Sequence, residues 1–261
     1  MRIFVLFIFF QCVVALSFAQ VMPDSTVESA GKLPKQKIER EHFSTLHILV
    51  PTAMIGYGIA SLHTSAGTNV NEQVYEEVWQ EHPHGSTAAD NYLQWVPAVA
   101  VYGLDLAGIK AKHNFIDRTV IYAISMSMVT ATTQIAKNVS GEWRPDHSAN
   151  NSFPSGHTAT AFASAEFLRL EYKDHSPWYG VAGYAVAVTT GYLRLYNNKH
   201  WFGDVVAGAG VGILCTDFAY YVYPWLKKMF TPNSKKSTVN TGVFYPVYAQ
   251  GALGIGYVKR W

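Results

Sequence analysis

The chain has 261 residues, of which 49% are hydrophobic and only 15% charged, against about 25% charged in an ordinary soluble domain. A chain of this length buries a sizeable core, which excludes disorder, collagen and a small disulfide scaffold. Its net charge of +2, with no dense basic stretch, leaves no footprint for nucleic acid.

Two cysteines, Cys12 and Cys215, sit in unrelated apolar runs and suit neither a disulfide framework nor a metal site. The composition describes one compact domain, either unusually apolar or held in a membrane. Residues 1–19 run from Arg2 through the apolar stretch Ile3 to Leu16 and end in Ser17, Phe18 and Ala19. That pattern predicts a secretory signal peptide cleaved after Ala19, with an uncleaved anchor helix as the alternative. Cleavage would remove Cys12 and start the mature chain on the far side of the inner membrane.

Residues 20–92 read as a periplasmic N-terminal segment holding two helices. The first, Leu46 to Leu62, is apolar but interrupted by Pro51, Gly56 and Gly58. The second, Asn69 to Gln94, has Val70, Val74, Val78 and Trp79 at helical spacing between acids, the mark of an amphipathic surface helix with a structural role and no chemistry. Residues 93–230 read as a helical core of five apolar segments: Leu93 to Ile109, Thr119 to Ala136, His157 to Leu170, Tyr179 to Leu195 and Val205 to Leu226. In the tail, 231–261, aromatic and small residues alternate from Thr238 around Pro246, Gly251, Gly254 and Gly256, as in an extended strand pair.

The fold class expected is all-α, a helical bundle in a membrane with five or six transmembrane helices. Lys110, Lys112 and Arg118, then Arg169 and Lys173, then Lys227, Lys228, Lys235 and Lys236 follow alternate segments and belong on one side. The cytoplasm is the side that basic loops favour. After a cleaved signal peptide, five spans put these clusters there, and 137–153 and 196–203 outside. In that count Leu46 to Leu62 is an interfacial or packed helix; it becomes a sixth span only if residues 1–19 do not cross. Asp105, Glu166 and Asp217 lie inside the proposed helices, each costing about 2.5 kcal/mol or more in lipid unless it faces the bundle interior. A soluble envelope bundle is the competing reading.

Three short motifs fall at helix ends on the outer side. Lys137 and Arg144 stand seven positions apart before Pro145; Pro154-Ser155-Gly156-His157 opens a helix; Arg194 is followed by His200 and Asp204. Singly, each also suits a solvated pair or a helix cap. Together, Lys137, Arg144 and Arg194 supply the cations that a phosphate dianion needs, the arginines gripping two oxygens each. Ser155 and Gly156, at a helix N-terminus, offer backbone N–H groups to the anion. Asp204, one turn from His200, can accept from one ring nitrogen and leave the other as nucleophile. His157 is then the general acid for the leaving alkoxide and the base for water. Asp146 and His147 lie where they can line the entrance.

The pattern Lys-x6-Arg-Pro, Pro-Ser-Gly-His, Arg-x5-His-x3-Asp resembles the type 2 phosphatidic acid phosphatase superfamily, which also holds bacterial non-specific acid phosphatases and vanadium haloperoxidases. The resemblance implies an all-helical fold and hydrolysis of phosphomonoesters or diphosphates without metal or other cofactor, through a phosphohistidine on His200. It assigns Lys137, Arg144, Ser155, Gly156 and Arg194 to the phosphoryl group, His157 to acid catalysis and Asp204 to orienting the nucleophile. Leu193 stands where the family usually has Ser, removing one hydroxyl from the cradle. Small residues at three- and four-residue spacing, Val205 to Gly212, favour close helix packing in a membrane. The substrate expected is therefore a phosphorylated membrane lipid such as lipid A, undecaprenyl diphosphate, phosphatidic acid or phosphatidylglycerol phosphate. The expected place is the inner membrane, with the site facing the periplasm; a soluble periplasmic acid phosphatase is the alternative.

Overall fold

The computed structural model describes residues 45–82, 84–230, 242–249 and 252–259. The predicted signal peptide and the cleavage after Ala19 lie outside them. Eight α-helices are described: α1 (Thr45–His63), α2 (Ser65–Tyr75), α3 (Ala89–Leu93), α4 (Val96–Leu106), α5 (Phe115–Ser140), α6 (Gly156–Tyr172), α7 (Pro177–Tyr196) and α8 (Phe202–Phe230).

The centre is α6. Every residue from Thr158 to Leu168 is buried, which a helix shows only when neighbours cover its whole circumference. Helices α4, α5 and α7 pack on it, and α8 approaches closely enough that a Cβ on Gly208 would lie 2.5 Å from the Ser155 carbonyl oxygen. The small residues spaced along Val205 to Gly212 thus face another helix. Two of the three acids lie in the interior, Glu166 accepting from Arg169 and from the Tyr184 hydroxyl and Asp217 buried, while Asp105, half-buried near the end of α4, accepts from Arg118 Nη2 at 2.7 Å.

Two of the apolar segments expected to be helical appear at close to their expected lengths as α6 and α7, and two extend, Thr119 to Ala136 into the 26 residues of α5 and Val205 to Leu226 into the 29 of α8. The segment Leu93 to Ile109 is shorter than expected. It yields the 11 residues of α4, about 16 Å long, which starts beside Pro97 and ends before Gly108 at φ +97°. By length and composition α1, α5 and α8 are apolar enough to cross a membrane.

One expectation for the N-terminal half changes. Asn69 to Gln94 is not one amphipathic helix; α2 ends at Tyr75 in a π-helical turn, Glu76–Gln80, and an irregular stretch precedes α3. Pro83-His84-Gly85 explains the break, because proline removes a donor and restricts the residue before it. The interrupted segment Leu46 to Leu62 is a continuous helix, α1, running antiparallel along α8: Gly58 lies against Gly203 and Ala207, and the Pro51 carbonyl against Gly210. Its first turns leave Leu46, Ile48, Leu49 and Val50 exposed.

Residues 225–261 form a compact unit of their own. There, β1 (Gly242–Ala249) and β2 (Ala252–Lys259) form the antiparallel strand pair that the alternating tail suggested, closing at Ala249 opposite Ala252. The fold is thus helical with one terminal hairpin.

Candidate active site

The first motif is shaped by the end of α5. Gly141, at φ +57°, donates to the Lys137 carbonyl and turns the chain out of the helix, a conformation that glycine adopts without steric cost. The loop then folds back through Arg144 N–H to Ala149 O and Ser152 N–H to Glu142 O. Lys137 Nζ donates to the carbonyls of Asn151, at 2.5 Å, and Ser152, at 3.2 Å, so its charge sits beside the strand leading into α6.

Ser155 caps α6. Its Oγ accepts from Thr158 N–H, its own N–H donates to the Asp204 carbonyl at 3.0 Å, and the residue is fully buried. The hydroxyl and amide of Ser155 are thereby committed to joining the starts of α6 and α8. The donors that helix geometry leaves at this terminus are the N–H groups of Gly156 and His157. The His157 ring is half-buried, its Nε2 2.8 Å from Asn91 Oδ1.

The third motif spans the turn from α7 to α8. Asn198 takes the left-handed region at φ +57°, where Asn is among the tolerated residues, and Lys199 N–H donates to the Arg194 carbonyl. This tight return carries His200 back beside Arg194. His200 is buried, with Nδ1 3.3 Å from Ser152 Oγ and 3.4 Å from Asp204 Oδ2. The carboxylate contact is longer than an ordinary hydrogen bond. Ser152 Oγ donates to Asp204 Oδ2 at 2.5 Å, and Trp201 N–H donates to the same oxygen at 2.9 Å. The imidazole, the serine hydroxyl and the carboxylate thus meet as a triad of mutual neighbours, with His200 Nδ1 about as near Ser152 Oγ as the expected Asp204 Oδ2. With Nδ1 on this polar pair, Nε2 is the nitrogen left for chemistry.

Arg194 is paired with the buried carboxylate of Asp90. Among the described residues, Arg144 Nε and Arg194 Nε are buried without an acceptor, an arrangement that a bound oxyanion would satisfy. Burial above all, then the positive charges of Arg194, Lys137 and Arg144, hold His200 well below the ordinary imidazole range. The ring is neutral at pH 7, with a lone pair to offer.

The structure brings Lys137, Arg144 and Arg194 into one electrostatic neighbourhood with His157 and His200. Asp146 pairs with Lys199 and so ties the first motif's loop to the third, while His147 is exposed at φ +55°. Leu193 is half-buried on α7, and the polar partner of the neighbouring Arg194 is Asp90. Three residues escaped the sequence reading: Ser152, Asp90 and Asn91. Ser152 precedes the second motif by two positions, a visible clue; Asp90 and Asn91 lie in the segment read as having no chemistry.

Residues 118–228 match the family model of the PAP2 superfamily. The chain is 40% identical over 194 residues to the lipid A 1-phosphatase of Porphyromonas gingivalis, covering 74% of this chain and 44% of that protein. It therefore spans under half the length of that relative. It is 28% identical over 181 residues to phosphatidylglycerophosphatase B of Bacillus subtilis, covering 59% of this chain and 84% of that one. Among solved structures, LpxE of Aquifex aeolicus aligns with a TM-score of 0.43 at 21% identity, covering 56% of this chain and 92% of that one.

Proposed function

We propose that this chain, which belongs to the PAP2 superfamily, is a membrane lipid phosphatase that acts through a phosphohistidine on His200. The observation that carries the reading is the His200 ring, fixed at Nδ1 by Ser152 and Asp204 and surrounded by Lys137, Arg144 and Arg194.

In this mechanism the phosphoryl group lies among the three cations and the N–H groups of Gly156 and His157. His200 Nε2 attacks phosphorus, forming the P–N bond as the ester or anhydride P–O bond breaks. The electron pair stays on the leaving oxygen, which takes a proton from His157. Water then gives its proton to His157, its oxygen forms the new P–O bond, and the P–N pair returns to Nε2. Asp204, 3.4 Å from Nδ1 and held by Ser152, opposes the positive charge that develops on His200 during attack.

A lipid substrate is supported by the apolar lengths of α1, α5 and α8 and by the exposed apolar residues in the first turns of α1. The P. gingivalis relative, a lipid A 1-phosphatase, makes the phosphate of lipid A the first substrate to try, ahead of phosphatidylglycerol phosphate and phosphatidic acid. The site end facing the periplasm is part of the proposal. Protein purified in detergent is expected to release phosphate from at least one of these lipids, and His200→Ala is expected to lower the rate by at least about 10³-fold. Turnover of a soluble aryl phosphate with none of the lipids would overturn the lipid assignment; activity surviving in His200→Ala would overturn the nucleophile.

A further inference from the structure

We propose that Asn91 is the positioning residue of the general acid: its side-chain oxygen holds His157 Nε2 and leaves Nδ1 as the nitrogen that serves the leaving oxygen. This rests on the phosphatase reading and adds a residue outside all three motifs.

The geometry begins with a strap, residues 84–94, fastened to the end of α7. His84 Nε2 is 2.8 Å from the Tyr196 carbonyl and its ring stacks on Tyr196 at 3.5 Å. Thr87 and Asn197 exchange two hydrogen bonds of 2.8 Å, Thr87 N–H to Asn197 Oδ1 and Asn197 Nδ2 to Thr87 O. Asp90 pairs with Arg194 inside the protein, and the Gln94 side chain donates to the Asn91 carbonyl at 2.9 Å. Asn91 is therefore placed by the same helix end that carries Arg194. From there its Oδ1 reaches His157 Nε2, 66 residues away, at 2.8 Å.

An amide oxygen is an acceptor only, so the ring nitrogen facing it carries hydrogen in both the neutral and the protonated imidazole. That settles which nitrogen changes protonation. Nε2 keeps its hydrogen on Asn91, and Nδ1 gains and loses the proton used by the leaving oxygen and then by water. The charged groups around the ring are Lys137 from α5, Arg144 from the loop after it, Arg194 from α7 and Asp90 from α3. Three cations and one carboxylate leave orientation to a neutral acceptor.

The test compares leaving groups. A lipid phosphate expels an alkoxide, which needs a proton, whereas p-nitrophenyl phosphate expels an anion that is stable without one. In the full-length protein in detergent, Asn91→Ala should lower kcat/KM about 10- to 100-fold on the best of phosphatidic acid, phosphatidylglycerol phosphate and lipid A. It should lower kcat/KM less than about 3-fold on p-nitrophenyl phosphate. His157→Ala should show the same pattern at about 10²- to 10⁴-fold, and the double variant should be no worse than His157→Ala. Asn91→Asp, which keeps an oxygen acceptor, should recover most of the lipid rate and move the alkaline limb of the pH profile upward. Equal losses on both substrates, or losses that multiply in the double variant, would overturn the assignment. A wild-type protein inactive on every phosphate would instead remove the reading on which it rests.

Discussion

A histidine buried among cations has a thermodynamic signature apart from its chemistry. His200 is held well below the ordinary imidazole value, first by burial and then by Arg194, Lys137 and Arg144, whereas in the unfolded chain it titrates near about 6.5. Above that pH neither state binds the proton and the fold is unaffected. As pH falls below it the unfolded chain takes up a proton that the folded one refuses, so stability declines by up to about 1.4 kcal/mol per pH unit. Asp146 works in a different window. Burial pushes its carboxyl up, but hydrogen bonds from Lys199 and Ser148 outweigh this and bring it down to about 2, so its contribution is present above about 4 and lost as pH falls toward 2. In detergent, the thermal midpoint of the wild type should fall between pH 7 and pH 5, and His200→Asn should flatten that slope; an unchanged slope would show that His200 is not buried as neutral imidazole. The motif cations and histidines were legible because three motifs, each ambiguous alone, together supply the cations, backbone donors and paired histidines that one phosphoryl site needs. Ser152, Asp90 and Asn91 were not, because a small polar residue before a motif or on an amphipathic stretch looks the same as solvent-facing surface. Their partners are 48 to 104 residues away.

At the level of elements, the site depends on how closely α8 approaches α6. Ser155 and His157 stand at the start of one helix and His200 and Asp204 at the start of the other. Gly208 is the contact point: a Cβ there would meet Ser155 O at 2.5 Å, a backbone atom that cannot rotate away. Gly208→Leu should destabilise the protein by about 1–3 kcal/mol and also lower kcat, by separating the acid from the nucleophile. Gly103→Ala on α4, where nothing lies within 4 Å, is the control and should leave both unchanged. A Gly208→Leu protein with normal kcat and thermal midpoint would mean that the helices do not meet there. Small-residue spacing made this contact readable from sequence in α8. In α1, Pro51 and Gly58, which interrupt its apolar run, are both buried and mark the face that lies along α8.

For the whole molecule, the helices alternate with respect to the site. The C-terminal end of α1 packs at Gly203, α4 follows the strap holding Asn91, α5 and α7 end at Lys137 and Arg194, and α6 and α8 begin at Ser155 and next to His200. Lys110, Lys112, Arg169 and Lys173 belong to the opposite ends of these helices. The chain thus enters α1 from the basic end, and the sequence before it holds Lys32, Lys35, Lys37 and Arg40. The five-span arrangement differs, because there a periplasmic start puts that segment on the same side as the site. Lys and Arg favour the cytoplasmic side, so a site facing the periplasm places residues near 37 and 110 inside. Cysteine labelling in a Cys12→Ser, Cys215→Ser background decides between the two. His147→Cys should react with an impermeant maleimide in intact spheroplasts, whereas Lys37→Cys and Lys110→Cys should react only after the membrane is opened. Labelling of Lys37→Cys alongside His147→Cys would restore the five-span count, leaving α1 as a helix that packs on α8 without crossing. Labelling of Lys110→Cys from outside, with His147→Cys protected, would turn the site to the cytoplasm.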